Sequence, residues 1–151
     1  MFGYLKRLLP DGNKSEVSST QTAFRLLLGA ALTFAGLSHL SWSRSEFLAQ
    51  VPDWFPADAD LVVVLSGVIE VLIGTALLLA AKYREIVGLV ATVFFVAIFP
   101  GNIAQLIEGT DAFGLDSSTS RSVRLIFQPV VVGWALWSTG TWSTHMARGA
   151  S

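Results

Sequence analysis

The chain contains no cysteine, and that absence removes several chemistries together. Disulfides, thiol relays, iron–sulfur ligation, covalent c-type haem attachment and thiolate zinc sites all need a residue it lacks. Cysteine usage therefore carries no information about redox compartment. Charge is the second scarcity: Asp, Glu, Lys and Arg make up 14% of the 151 residues, against roughly 25% in soluble domains. The net charge is −1 and no basic cluster is present, so no electrostatic footprint points to nucleic acid. Histidine occurs twice, at His39 and His145. No metal site is expected from so few ligands.

What is abundant is apolar. Hydrophobic residues are 52% of the chain and mean hydropathy is +0.58, which marks an integral membrane protein. Four stretches, at about 22–42, 61–81, 86–107 and 123–143, are each long enough to cross the ~30 Å hydrocarbon core as a helix. The predicted fold is an all-α, four-helix transmembrane bundle. A polar lead of residues 1–21 precedes it, and a tail of residues 144–151 follows. In the lead, Phe2, Leu5, Leu8 and Leu9 alternate with Lys6 and Arg7, the pattern of a short interfacial helix stopped by Pro10-Asp11-Gly12; a disordered basic tail fits equally. Arg25 is placed to snorkel at the start of the first span. A signal-peptide reading, with cleavage after Thr33-Phe34-Ala35, is set aside because the preceding lead is long and the apolar run continues beyond it.

Between 43 and 60, SRSEFLAQVPDWFPADAD breaks the pattern. Pro52 and Pro56 forbid a continuous helix, and Trp54 and Phe55 suit a loop folded back onto the interface. Basic residues set the orientation. Lys6, Arg7, Lys14, Arg25, Lys82, Arg84 and Arg148 fall on one side of a four-span topology, which places both termini in the cytoplasm. Arg44, Arg121 and Arg124 lie on the other side, in outer segments that are otherwise acidic.

Glu70 organises the rest. It is the one charged side chain between 61 and 81 and would sit near mid-membrane, where an ionised carboxylate costs at least a few kcal/mol. At a rise of about 1.5 Å per residue, His39, Asn102, Gln105 and Gln128 come to similar depths in the outer half. On the second span Ser66, Glu70 and Gly74 share a face with Gly67 beside it; on the first, Gly29, Thr33, Gly36 and His39 form a stripe. Arg121, Arg124 and Gln128 line one face of the fourth, and Pro100-Gly101 should loosen the third just before Asn102. The expected result is a polar cavity opening outward. Two readings of Glu70 stay open: a ligand or proton site, and a hydrogen-bond anchor between helices. His39 and His145 are too far apart to share one haem, and the Trp134–Trp137 pair reads as packing.

The motifs GLSHL, VPDWFP, LSGVIEVLIGTALLL, FPGNIAQ and VRLIFQPVVVGWALW resemble, in order and spacing, the DoxX-like family of small four-helix bacterial membrane proteins. The likeness runs from the first span to the fourth and excludes the first 20 or so residues. It implies a bacterial cytoplasmic membrane, a quinone-linked redox context and recurring polar positions at His39, Glu70, Asn102, Arg124 and Gln128. The chain is also similar to four-helix quinone-reactive thiol enzymes, but without cysteine it cannot perform their dithiol chemistry. Together these readings suggest an accessory subunit rather than a stand-alone enzyme, with a redox-enzyme partner or a second copy of itself and with surrounding lipid. Its pocket would hold a quinone or lipid with Glu70, His39, Asn102, Gln128, Arg124, Gln105, Ser66 and Arg121. The alternatives are a non-catalytic assembly factor whose small-residue stripes dock other helices and, with less support, a small-solute or proton transporter.

Overall fold

The computed structural model describes residues 16–112, 114 and 117–149. The amphipathic lead expected at residues 2–9 lies outside them. The described chain is helical, and no strand occurs among these residues. Helix α1 runs Ser19–Leu40, α2 Arg44–Leu48, α3 Ala59–Leu79, α4 Arg84–Glu108, α5 Ser118–Ser138 and α6 Thr141–Gly149, with a 3₁₀ turn at Ala81–Tyr83 before α4. The segments Ser19–Leu40, Ala59–Leu79 and Ala81–Glu108 are long and apolar enough to cross a membrane. Helix α5 is not among these three, because Arg121, Arg124, Gln128 and a run of serines polarise its first half.

Local chemistry sets the boundaries. Ser18 caps α1 by accepting from the Gln21 N–H while the Gln21 side chain accepts from the Ser18 N–H, a reciprocal pair that starts the helix earlier than residue 22. Asp58 and Ser117 cap α3 and α5 in the same way from one side. Helix α4 ends at Gly109, whose φ of 68° is open to glycine at little steric cost. Gly140, at φ 77°, ends the fourth long helix and separates it from α6. The run expected over 123–143 is therefore an earlier helix plus part of a second.

The long helices alternate in direction and pack in two close pairs, α1 with α3 and α4 with α5, joined by lighter contacts of α1 with α5 and α3 with α4. The α1–α3 seam is a glycine seam. A methyl group on Gly36 would stand 2.6 Å from the Gly67 carbonyl oxygen, and one on Gly29 would stand 2.9 Å from that of Gly74, so the backbones approach closely because these positions lack side chains. The small-residue stripes noted in the sequence thus face each other inside the chain. Leu28, Leu32, Ile73, Leu77, Ala91, Phe94, Phe95, Val131 and Ala135 form one apolar core. It fills the half nearest the 81–83 turn, where Arg25, Ser138, Thr139 and Thr141 are also buried, while His39, Glu70, Asn102, Gln105, Arg121 and Gln128 are buried in the opposite half.

Arg25 departs from expectation. It is buried, 5% exposed, and donates through Nη1 to the Leu77 carbonyl. The last carbonyls of a helix lack intrahelical donors and attract cations, so an arginine at the start of α1 serves the end of antiparallel α3 instead of reaching out to headgroups. Trp134 packs edge-on to Phe24, with its indole N–H on the Phe24 carbonyl at 2.9 Å.

Candidate functional site

Close approach at Gly36 and Gly67 brings the end of α1 against the middle of α3. His39 Nδ1 then lies 3.3 Å from Glu70 Oε2 and 3.4 Å from Ser66 Oγ. Both His39 and Glu70 are 6% exposed. Ser66 and Glu70 share a face because they are four residues apart, and the Ser66 hydroxyl donates to the Val63 carbonyl at 3.0 Å. Glu70 Oε2 makes no hydrogen bond. The acid therefore has one close polar neighbour from another helix, an imidazole whose ring meets Phe47 of α2 edge to face.

The facing wall is a ladder of amides between α4 and α5. Asn102 donates through Nδ2 to Gln128 Oε1 at 2.9 Å, and Gln128 Nε2 donates to the Phe95 carbonyl at 2.7 Å. That carbonyl lies one residue before Val96, whose own carbonyl has no intrahelical donor because residue 100 is proline. One turn further out, Arg124 donates to Gln105 Oε1 at 3.1 Å and to Gln50 Oε1 at 2.9 Å, while Gln105 Nε2 reaches the Thr110 carbonyl at 3.3 Å. Arg124 thereby links α4 and α5 to the loop after α2.

That loop forms one side of the site. Arg44 makes a two-point ion pair with Asp60, Nε to Oδ1 at 2.8 Å, which ties α2 to the start of α3. Between these anchors Phe47, Gln50, Val51, Pro52, Trp54 and Phe55 line a cavity of about 250 Å³. His39, Ser66 and Glu70 line it from α1 and α3; Ile98, Pro100, Gly101, Asn102 and Arg124 line it from α4 and α5. Arg124 supplies the charge that acts on Glu70 across this space.

Of the eight positions expected from the sequence, His39, Ser66, Glu70, Asn102 and Arg124 meet at the cavity. Gln105 and Gln128 stand one layer behind, holding Arg124 and Asn102. Arg121 is elsewhere: it is buried and pairs with Asp111 at 3.2 Å, fixing the α4–α5 connection. Gln50 is the residue that sequence reasoning missed. Its signal was its place in LAQVPDWFP, the loop expected to fold back onto the interface; an amide in a loop has no helical face to mark it. No group of three or more His, Asp or Glu side chains among the described residues is placed to hold a metal ion.

These features define a class: an all-helical protein, with three helices suited to crossing a membrane, that encloses an acid–imidazole pair beside a cavity. The chain belongs to the family of the domain of unknown function DUF8561, whose model matches residues 28–139. The matched region contains every residue that lines the cavity. No curated protein and no solved structure matches the chain.

Proposed function

We propose that this is a four-helix membrane protein, with both termini cytoplasmic, that holds the ring headgroup of a quinone-class amphiphile in the cavity and serves as an accessory subunit of a membrane redox system. The observation that carries the reading is Glu70: a carboxylate buried in an apolar helix, with one imidazole beside it and a cavity in front of it. Such a group is costly in a purely structural role, and intramembrane acids mark ligand or proton sites by default.

Size and surroundings support the ligand class. About 250 Å³ falls below the roughly 300–1,000 Å³ of pockets that enclose a drug-sized molecule, so the space suits a headgroup whose tail stays outside. Ala97 and Pro100 line the cavity and are also exposed on α4, which gives a tail an exit between α3 and α4 directly into lipid. Phe47, Trp54 and Phe55 offer faces for a flat ring. The redox context rests on the resemblance of the motifs to DoxX-like proteins.

Trp54 in the wall provides the readout. Protein in lipid nanodiscs is titrated with a decyl-tailed benzoquinone and its quinol, and binding is followed by tryptophan quenching for wild type and Glu70→Gln. Saturable binding, weakened about tenfold in Glu70→Gln, is expected. Equal binding by both proteins would remove Glu70 from the account, and quenching that never saturates would reduce the effect to partition into lipid.

The assembly alternative relied on small-residue stripes free to dock other helices. Gly29, Gly36, Gly67 and Gly74 instead pack against each other, which favours the ligand reading.

A further inference from the structure

Gln50 reaches the cavity from the loop after α2, and its neighbours decide which end of its amide is engaged. Its backbone N–H donates to the Phe47 carbonyl at 3.1 Å. Its own carbonyl oxygen lies 3.9 Å from where a methyl group on Gly101 would stand, so the loop runs against α4 just before Asn102. The side-chain Oε1 accepts from Arg124 Nη2 at 2.9 Å. Arginine can only donate, and the same guanidinium is held from α4 through Nη1 to Gln105 Oε1 at 3.1 Å. Turning the Gln50 amide over would set its N–H groups against another donor, so the sense of the amide is fixed with Nε2 as the free end. That nitrogen is buried and has no hydrogen-bond partner among the described residues, on a side chain that lines the cavity.

A buried donor without a partner destabilises the protein until an acceptor reaches it. Asn102 Nδ2 is in a different position, because it keeps a second N–H but already donates to Gln128. Resting on the ligand class proposed above, we infer that Gln50 is a ligand-binding residue whose Nε2 donates to an oxygen of the ring. An oxygen on the ring accepts whether the ring is oxidised or reduced, so the contact recognises the presence of that oxygen and not its redox state. Polar recognition is then shared between elements: the loop supplies a donor held in place by Arg124, and α3 supplies the acid.

The test titrates wild type, Gln50→Glu and Gln50→Met in lipid nanodiscs with decyl-tailed benzoquinone, read by tryptophan quenching, and with decylbenzene, read by competition against the quinone. Gln50→Glu keeps an acceptor for Arg124 and loses the donor; Gln50→Met loses both and adds no charge. The quinone should bind about tenfold more weakly to each variant. Decylbenzene has no ring oxygen, so it should compete in Gln50→Glu with its wild-type affinity. Each affinity is taken from the midpoint of a saturable curve, so partial loss of folded material does not enter it. A loss confined to one variant would overturn the donor role: in Gln50→Met alone it would make Gln50 only a latch for Arg124, and in Gln50→Glu alone it would be the work of the added charge. Binding undiminished in both would overturn the contact, and an equal loss of quinone and decylbenzene in Gln50→Glu would trace the effect to a reshaped cavity. In each of these cases the ligand class stands. No saturable quinone binding by wild type would overturn that class and the Gln50 contact with it.

Discussion

His39 and Glu70 show how much one pair can require of its surroundings. Each is almost fully buried, and an ionisable side chain in an apolar setting costs several kcal/mol unless a partner offsets the lost hydration. The near partner of Glu70 is the imidazole nitrogen of His39 at 3.3 Å, with the Arg124 charge acting from across the cavity. His39→Leu should therefore destabilise the protein by about 1–3 kcal/mol, because Glu70 is left buried without that neighbour. Adding Glu70→Leu should recover stability to within about 1 kcal/mol of wild type. Thermal unfolding of the two variants in one detergent measures both, and a double variant no more stable than His39→Leu would show that the two side chains do not compensate each other. The single charge in an apolar run made Glu70 legible in the sequence. Gln50 was not legible, because only the folded loop carries it to Arg124. Arg25 was misread for a related reason: its partner is a carbonyl 52 residues away, and no local pattern announces a helix end from an antiparallel neighbour.

Among the elements, α1 and α3 depend on having no side chains at four crossing points. Gly36→Ala would drive a methyl group to 2.6 Å from the Gly67 oxygen, and overpacking of this kind costs about 1–3 kcal/mol. Nothing lies within 4 Å of a methyl placed at Gly133, so Gly133→Ala should be neutral or should gain up to about 1 kcal/mol from helix propensity. The pair is read by unfolding midpoint, and equal shifts would mean that the seam is not what holds α1 to α3. Separating these helices would also part His39 from Glu70, so Gly36→Ala should weaken ligand binding where Gly133→Ala does not. Glycine periodicity showed which faces are small. It could not show that the two stripes meet each other, since the same pattern would serve contact with another protein.

At the scale of the whole molecule, the proposed membrane topology turns on α5. Three segments have the length and apolarity to cross, and α5 packs beside α4 along the amide ladder while carrying Arg121 and Arg124 near its start. Four crossings put α6 on the side of the 81–83 turn; three put it on the side of α2. The cysteine-free sequence makes single-cysteine variants direct reporters. With Ser45→Cys, Lys82→Cys and Thr144→Cys in intact cells, a membrane-impermeant maleimide should label the first and spare the other two. Labelling at both 45 and 144 would reduce the count to three.

The sequence by itself determined the all-helical class and the three segments apolar enough to cross a membrane, because hydropathy and helical period are properties of a chain read locally. It placed His39, Glu70, Asn102, Gln105 and Gln128 in one half of the molecule; His39, Glu70 and Asn102 line the cavity, and Gln105 and Gln128 stand behind it. Only the tertiary structure decided which of the polar residues face that space and which stand behind it, since Asn102, Gln128 and the Phe95 carbonyl orient one another across two helices. A hydrogen bond between helices depends on rotation and separation, and the glycine contacts fix those only when the helices are packed together.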